Sequence, residues 1–446
     1  MLKSFIISFL TIWISFQFPN YLFAQSAISL SSAQQLALQN KEELKISKYQ
    51  TDIAKTEKEK INTNYLPTIS SEVDFRYNSQ LQSNILPGIA FGPQGTPDRR
   101  ITLGTPYQSW AGISLSQPLF KPEFSADKAI AKEQITWQVL QEKKTSTEII
   151  ESASLSYLQS LWENEKVKIA NFNLNRTLTI YETAQSQYAQ GIITENQLNK
   201  YKLDQIQAKA EVDKCTRNLM LALSDLSWKT GTTIQQINQL IDSLPALLAQ
   251  TPTELSQGFE IINRPELAME KSTLAQQLLK TRKIKKSYLP TVSLYAQYTA
   301  QYLNQNANYF EKATWFPYNY IGIKANFTIW DGGIKQKNIN TYQLQSEISR
   351  LKYNSLEKEY QQDLRTAITK HKNAKQEVDI QKSNRQLSED IWKTTSLQLS
   401  SGIALPQETL TAYYSVLQQQ QLYLNAIYDY LNAWVAYQKI TGFAGK

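Results

Sequence analysis

Tyr288-Leu289-Pro290-Thr291-Val292-Ser293-Leu294-Tyr295-Ala296-Gln297-Tyr298-Thr299-Ala300-Gln301-Tyr302 decides how the chain reads. Beyond Pro290 the residues alternate. Val292, Leu294, Ala296, Tyr298, Ala300 and Tyr302 fall on one face, and Ser293, Tyr295, Gln297, Thr299 and Gln301 on the other. Period two over this length is a strand with one apolar and one polar face. The same opening, Tyr65-Leu66-Pro67-Thr68, stands 223 residues earlier. It leads into Ile69, Val73, Phe75 and Tyr77 against Ser70, Glu72, Asp74, Arg76 and Asn78, with Ser71 the one weak point of the apolar row. Two further alternating segments follow: Ala111, Ile113, Leu115 and Leu119 against Gln108, Ser114 and Ser116, then Ile321, Ile323, Ala325, Phe327 and Ile329 against Lys324, Asn326 and Thr328.

At roughly 9 to 11 residues each, these segments are long enough to cross a bilayer at the usual tilt. An antiparallel sheet with one wet face would alternate in the same way. Aromatic residues weigh towards the membrane. Tyr65, Phe120, Tyr288 and Trp330 gather at one set of strand ends, and Tyr107, Trp315, Phe316 and Tyr318 near the other, as in the two girdles of an outer-membrane barrel. Four strands cannot close a barrel, since small barrels need about eight. A ring of three identical chains, supplying about 12 strands, is therefore expected. The Gly- and Pro-rich connection from Leu81 to Pro106, with that from Asn304 to Pro317, would form the outer loops.

The duplication extends over the rest of the chain. Asn40-Lys41-Glu42-Glu43-Leu44 answers Asn263-Arg264-Pro265-Glu266-Leu267, Gly191-Ile192 answers Gly402-Ile403, and Thr230-Gly231 answers Thr441-Gly442. Neither proline nor glycine interrupts the chain between Pro122 and Gly191 or between Gly333 and Gly402. Each stretch predicts a helix of about 100 Å. A second helix follows each glycine turn. Its apolar seam runs Leu198, Tyr201, Gln205, Ala208, Val212, Cys215, Leu219, Ala222 and Leu226 in the first copy. In the second it runs Leu410, Tyr413, Leu417, Gln420, Leu424, Ile427, Leu431 and Trp434, offset by 212. Spacings of three and four make this a heptad seam.

The expected organisation is a secretory signal at 1–24, a first repeat at 25–231, an inter-repeat linker at 232–253 and a second repeat at 254–446. Past the signal no apolar run approaches a spanning helix, so strands must make any crossing. The net charge of +8 is interspersed along the helices rather than gathered in a basic block, which speaks against nucleic acid. The chain has one cysteine and one histidine. Cys215 occupies a seam position, and His371 lies in the series Leu364, Ala367, His371, Ala374, Val378, so both read as packed residues rather than as reactive or metal-binding ones. No phosphate loop or nucleophile elbow is present, and neither a cofactor nor catalysis is expected. One cluster stands apart: Lys280, Arg282, Lys283, Lys285 and Lys286, just before Tyr288. It reads either as a solvated helix face or as a contact to lipid phosphates.

The repeated strand-strand-helix-helix plan, with Tyr288-Leu289-Pro290, Trp330-Asp331-Gly332-Gly333 and Tyr188 three residues before Gly191, resembles the TolC-type outer-membrane efflux proteins over essentially the whole mature chain. The first copy departs from the pattern with Phe120-Lys121-Pro122-Glu123, and the chain lacks the long tail of some members. The resemblance implies a membrane β-barrel joined to a long α-helical coiled-coil barrel. Each protomer would give four strands, and a homotrimer would close 12. It implies a passive outer-membrane exit duct of a tripartite efflux or type I secretion system. The partners implied are a periplasmic adaptor and an inner-membrane transporter of the RND or ABC class. A periplasmic coiled-coil adaptor or structural protein is the alternative class.

The resemblance also carries site residues. Glu408 matches the first acid that narrows the periplasmic entrance in such proteins, Thr411 stands where the second acid would be, and Ala404 where some members have a basic latch. Three Glu408 carboxylates would then ring the pore, although Pro406 and Glu408 equally suit the first turn of a helix. Gln197, with Thr194 at capping-box spacing, is a further constriction candidate. Gly191, Ile192, Gly402 and Ile403 mark the turns where an adaptor would dock.

Overall fold

The computed structural model describes residues 27–90, 92–234, 239–255, 264–310, 315–401, 403 and 406–443. The expected signal segment, Gly402 and Ala404 lie outside the described residues. The chain divides into two compact units, each drawing segments from both copies: one from residues 1–44, 145–259 and 361–446, the other from 45–144 and 260–360. Among the described residues no helix is long and apolar enough to cross a membrane.

The second unit carries the sheet. Its strands are β1 (Thr68–Tyr77), β4 (Tyr107–Phe120), β5 (Thr291–Asn304) and β6 (Trp315–Asn326), antiparallel in the order β1-β4-β5-β6. The two copies thus join at β4 and β5, which pair from Tyr107↔Asn304 to Phe120↔Val292. The register carries each strand's alternation across the sheet: Ile69 faces Leu115, Leu115 faces Ala296, and Ala296 faces Ile321. One continuous apolar face results. It is open, with Ile69, Val73, Phe75, Ile113, Tyr298, Ile321 and Ile323 between 55% and 74% exposed.

Two strand ends differ from expectation. The apolar row of β6 stops at Ala325, because Asn326 pairs with Thr291 and Pro290 beyond it has no N–H to extend the ladder. Phe327 and Ile329 therefore lie past the strand. In β4 a bulge between Pro118 and Phe120 sets Phe120, not Leu119, opposite Val292. The first connecting segment is also more ordered than a plain loop. Strands β2 (Ser83–Leu86) and β3 (Arg99–Thr102) pair as a ribbon, and Gly88 begins a short 3-10 turn where a Cβ would fall 1.7 Å from the Thr96 carbonyl oxygen. Only glycine fits that approach.

The first unit is helical, with α1 (Leu30–Asn40), α4 (Glu195–Thr230), α5 (Leu244–Gln250), α8 (Pro406–Thr441) and much of α3 (Phe124–Ala189) and α7 (Ile334–Ser400). Helices α2 (Glu42–Thr63) and α6 (Pro265–Lys286) precede the two Tyr-Leu-Pro turns. The duplication is visible in lengths: α2 and α6 have 22 residues each, α3 and α7 have 66 and 67, and α4 and α8 have 36 each. Leu226, Tyr157, Leu158 and Leu161 pack with Leu424, Ile427, Tyr430 and Leu431 in the main core. Ile28 bridges Leu240 in parallel, and the Tyr157 hydroxyl sits 2.8 Å from both the Ile28 carbonyl and the Asp242 carboxylate. Asp242 also accepts the Leu30 N–H at 2.8 Å, so the segment after the first copy is fastened to the beginning of that copy.

Every residue of both seams is at least partly buried. The helices themselves correspond at an offset of 211 rather than 212: Thr230 and Thr441 each turn their hydroxyl back to the carbonyl four residues earlier, at 2.7 and 3.1 Å. Buried α8 residues come in adjacent pairs, Ala426 with Ile427 and Tyr430 with Leu431, so its stripe is wide enough to match at either offset.

Candidate helix-turn entrance and strand-end aromatics

The two helix turns of the first unit share a closing bond. After α3, Gly191 takes φ 72°, its N–H donates to the Tyr188 carbonyl at 2.9 Å, and the Ile192 N–H donates to Gln187 at 2.9 Å. This is the Schellman arrangement, which needs a left-handed residue and therefore favours glycine. After α7 the Ile403 N–H donates to the Gln398 carbonyl at 2.8 Å in the equivalent bond. Both turns display an isoleucine, Ile192 at 65% and Ile403 at 77% exposed.

Helix α4 then starts with a full capping box. The Thr194 hydroxyl accepts the Gln197 N–H at 3.3 Å, and the Gln197 side-chain oxygen accepts the Thr194 N–H at 2.9 Å. That oxygen is occupied by the cap, leaving the amide NH2 as Gln197's outward group. Helix α8 starts at Pro406, with Glu408 exposed in its first turn, where a carboxylate is stabilised by the helix dipole. One turn further the Thr411 hydroxyl donates to the Gln407 carbonyl at 2.9 Å and is also exposed.

The start of α8 is held by contacts that the sequence reading did not single out. Tyr413 donates to the Asn173 side-chain oxygen at 2.9 Å, and the Arg176 guanidinium lies 3.2 Å from the Tyr413 ring centre and 4.6 Å from that of Trp392. Arg176 from α3 is thus stacked between α7 and α8. Burial lowers its pKa, a cost that the aromatic faces offset. The Tyr414 hydroxyl bonds to Asp204 of α4, and burial with that carboxylate pushes its pKa up to about 12. Tyr413 was legible as a seam position; nothing in the spacing pointed to Arg176.

Cys215 and His371 sit as packed residues. Cys215 is buried, its Sγ–H points to Glu211 Oε1 at 3.6 Å, and burial raises the thiol pKa. His371 is 1% exposed, its ring centre 4.5 Å from that of Tyr430 and 6.0 Å from that of Trp434, and burial lowers its pKa.

In the sheet unit the expected girdle residues divide. Tyr65 is half-buried: its hydroxyl accepts the Lys121 N–H at 3.0 Å and its ring lies 4.0 Å from that of Phe124. Phe120, Tyr288 and Trp330 are exposed, Trp330 beyond the end of β6. At the other end Trp315 donates its indole N–H to the Tyr309 carbonyl at 2.7 Å and packs on Tyr302. Tyr318, paired with Thr299, falls on the polar face and stacks on Tyr320, so its ring is not part of an apolar-face girdle. The reading missed the cluster of Phe75, Tyr302, Tyr309 and Trp315, in which Tyr302 is fully buried. Strand alternation placed Tyr302 in the apolar row but gave no sign that a loop tyrosine covers it.

Residues 260–443 match the family model described as outer membrane efflux protein. No curated protein matches the chain. Among solved structures, the CmeC outer membrane channel of Campylobacter jejuni superposes with a TM-score of 0.71 at 17% identity, over 93% of this chain and 85% of that one. The outer membrane protein VceC of Vibrio cholerae gives 0.69 at 13% identity, over 93% and 96%. The MtrE outer membrane channel of Neisseria gonorrhoeae gives 0.69 at 14% identity, over 93% and 88%. At these identities the structural likeness is one of fold.

Proposed function

We propose that this chain is a TolC-type outer membrane efflux protein, the exit duct of a tripartite export system: residues 260–443 match the outer membrane efflux protein model, and the fold is that of solved outer-membrane channels. The observation that carries this reading is the sheet, with one apolar face left open and two edges, β1 and β6, without a partner strand among the described residues. Three such sheets joined edge to edge make a closed barrel of about 12 strands, which removes every edge and places the apolar face against lipid. The opposite face, with Glu72, Asp74, Arg76 and Lys324, then lines a wet lumen. Exposed apolar residues on the long helices, Ile380, Leu387 and Ile391 on α7 and Leu203 and Ile206 on α4, support packing against neighbouring protomers in a periplasmic helical barrel.

The duct performs no chemistry, and an inner-membrane transporter, of the RND or ABC class, supplies the energy. A periplasmic adaptor docks at the turns bearing Ile192 and Ile403, whose exposure suits an apolar contact. Phe120, Tyr288 and Trp330 make the girdle at one leaflet, with Trp315 at the other. At the entrance, three symmetry-related Glu408 carboxylates ring the pore and favour cations. Thr411 and Gln197 add neutral polar groups to the constriction.

Fractionation tests the whole reading: the expected protein is in the outer membrane and runs as heat-modifiable trimers, whereas recovery as a soluble periplasmic protein would overturn it. For the gate, single-channel recordings of Glu408→Gln are expected to lose cation preference. Unchanged selectivity would remove Glu408 from the pore.

A further inference from the structure

The two copies end their pre-strand helices differently. The last residues of α2 are Glu57, Lys58, Glu59, Lys60, Ile61, Asn62 and Thr63, while the matching residues of α6 are Lys280, Thr281, Arg282, Lys283, Ile284, Lys285 and Lys286. Charges cancel in the first, where Lys60 pairs with Glu57 at 3.1 Å, and add in the second. Both helices lead into the same Tyr-Leu-Pro-Thr turn, so neither the turn nor the helix dipole demands the basic cluster: α2 terminates without one.

Part of the cluster is used within the fold. Lys283 pairs with Asp127 at 2.7 Å, Lys286 bonds to the Ser125 hydroxyl, and Lys280 approaches the Tyr342 ring at 5.8 Å. Arg282 and Lys285 remain exposed, with no hydrogen bond or ion pair among the described residues. They lie within two turns of Tyr288 and Leu289, which are 51% and 52% exposed, and of the open apolar face that begins at Val292. Cations next to an exposed tyrosine and leucine, at the margin of an apolar band, form the pattern of a protein seated at a lipid headgroup layer.

We propose that Arg282 and Lys285 bind the phosphate groups of anionic phospholipid in the leaflet nearest the helices, so that α6, and not α2, anchors each protomer to charged lipid. This rests on the outer-membrane reading above. The lysines spent on Asp127 and Ser125 hold the helix end against α3, and the two remaining cations are free to meet the membrane surface. Three chains would present the pair at three points around the barrel.

Native mass spectrometry of the detergent-purified full-length protein, titrated with phosphatidylglycerol or phosphatidylcholine, tests the proposal. Wild type is expected to retain phosphatidylglycerol over phosphatidylcholine, and Arg282→Gln with Lys285→Gln to weaken that retention by about fivefold for each cation removed. Arg282→Lys with Lys285→Arg should keep the preference, as should Lys58→Gln with Lys60→Gln on α2. Equal retention by wild type and the Gln pair would overturn the assignment. Equal loss from the α2 pair would reduce the effect to net charge and overturn it too. Protection by inorganic phosphate alone, to the same extent as by the lipid, would remove the membrane from it. A trimer that inserts and conducts without lipid preference defeats only this inference, whereas failure to reach the outer membrane defeats the duct reading itself.

Discussion

Helices α4 and α8 have the same length and end on the same kind of turn, yet they carry different burdens. Gly231 and Gly442 both take positive φ, 63° and 80°, and the following residue donates to the carbonyl five before it: Thr232 to Ser227 at 3.0 Å and Phe443 to Gln438 at 2.7 Å. Along α4 burial is confined to Ala208, Cys215, Ala222, Leu226 and Thr230, mostly small residues. Along α8 it includes Tyr413, Val416, Leu424, Ile427, Tyr430, Leu431, Val435 and Tyr437. Duplication has kept the backbone punctuation, which depends on a few turn residues, and has let the side-chain load drift to the second copy.

The largest test of this asymmetry is Tyr430→Ala. Tyr430 is 1% exposed, donates to the Pro252 carbonyl at 3.0 Å and supports the His371 ring. Truncation should cost about 3 to 5 kcal/mol in chemical denaturation. Leu219→Ala, at the matching place on the half-buried side of α4, should cost well under half of that. Comparable losses would break the contrast. At the helix ends the order should reverse. A Cβ on Gly231 would stand 2.8 Å from the Asn40 Cβ, while none of the described surroundings of Gly442 comes within 4 Å of one. Both Gly→Ala changes incur the left-handed penalty of about 1 to 2 kcal/mol. Gly231→Ala adds a clash of about 1 to 3 kcal/mol, so its melting temperature should fall further.

The smallest effect concerns pH. Burial holds the folded-state pKa of His371 below its ordinary 6.5, so the unfolded chain binds the extra proton. Stability from the neutral ring is complete above pH 6.5 and declines as pH falls below it. His371→Phe should flatten the pH dependence of the melting temperature in that window; an unaltered slope would place the acid sensitivity elsewhere.

Much of this architecture was legible because it rests on local rules. The four strands follow from period-two alternation, the left-handed turns at Gly191, Gly231 and Gly442 from glycine's freedom, and the α4 entry from Thr194 and Gln197. Strand β6 was overextended because the alternation continues through Ile329, whereas the ladder is limited by its neighbour's Pro290. Arg176 stayed hidden for a related reason. Its partners Trp392 and Tyr413 lie more than two hundred residues away, and its own neighbours on α3 form no distinctive pattern. Spacing along one helix cannot report which aromatic faces another helix brings to it. The same limit applies to Tyr302 beneath the loop residue Tyr309.

The bridge between Ile28 and Leu240 turns the first copy into a closed circuit. The first described residues lack part of their seat until the chain through Asp242 is present, since that carboxylate fastens both Leu30 and Tyr157. An entire copy must therefore be made before this seat is complete, and closing so long a loop puts that contact late in folding. Synthesis order and assembly order run opposite at this point: a segment made early is among the last to be fully locked.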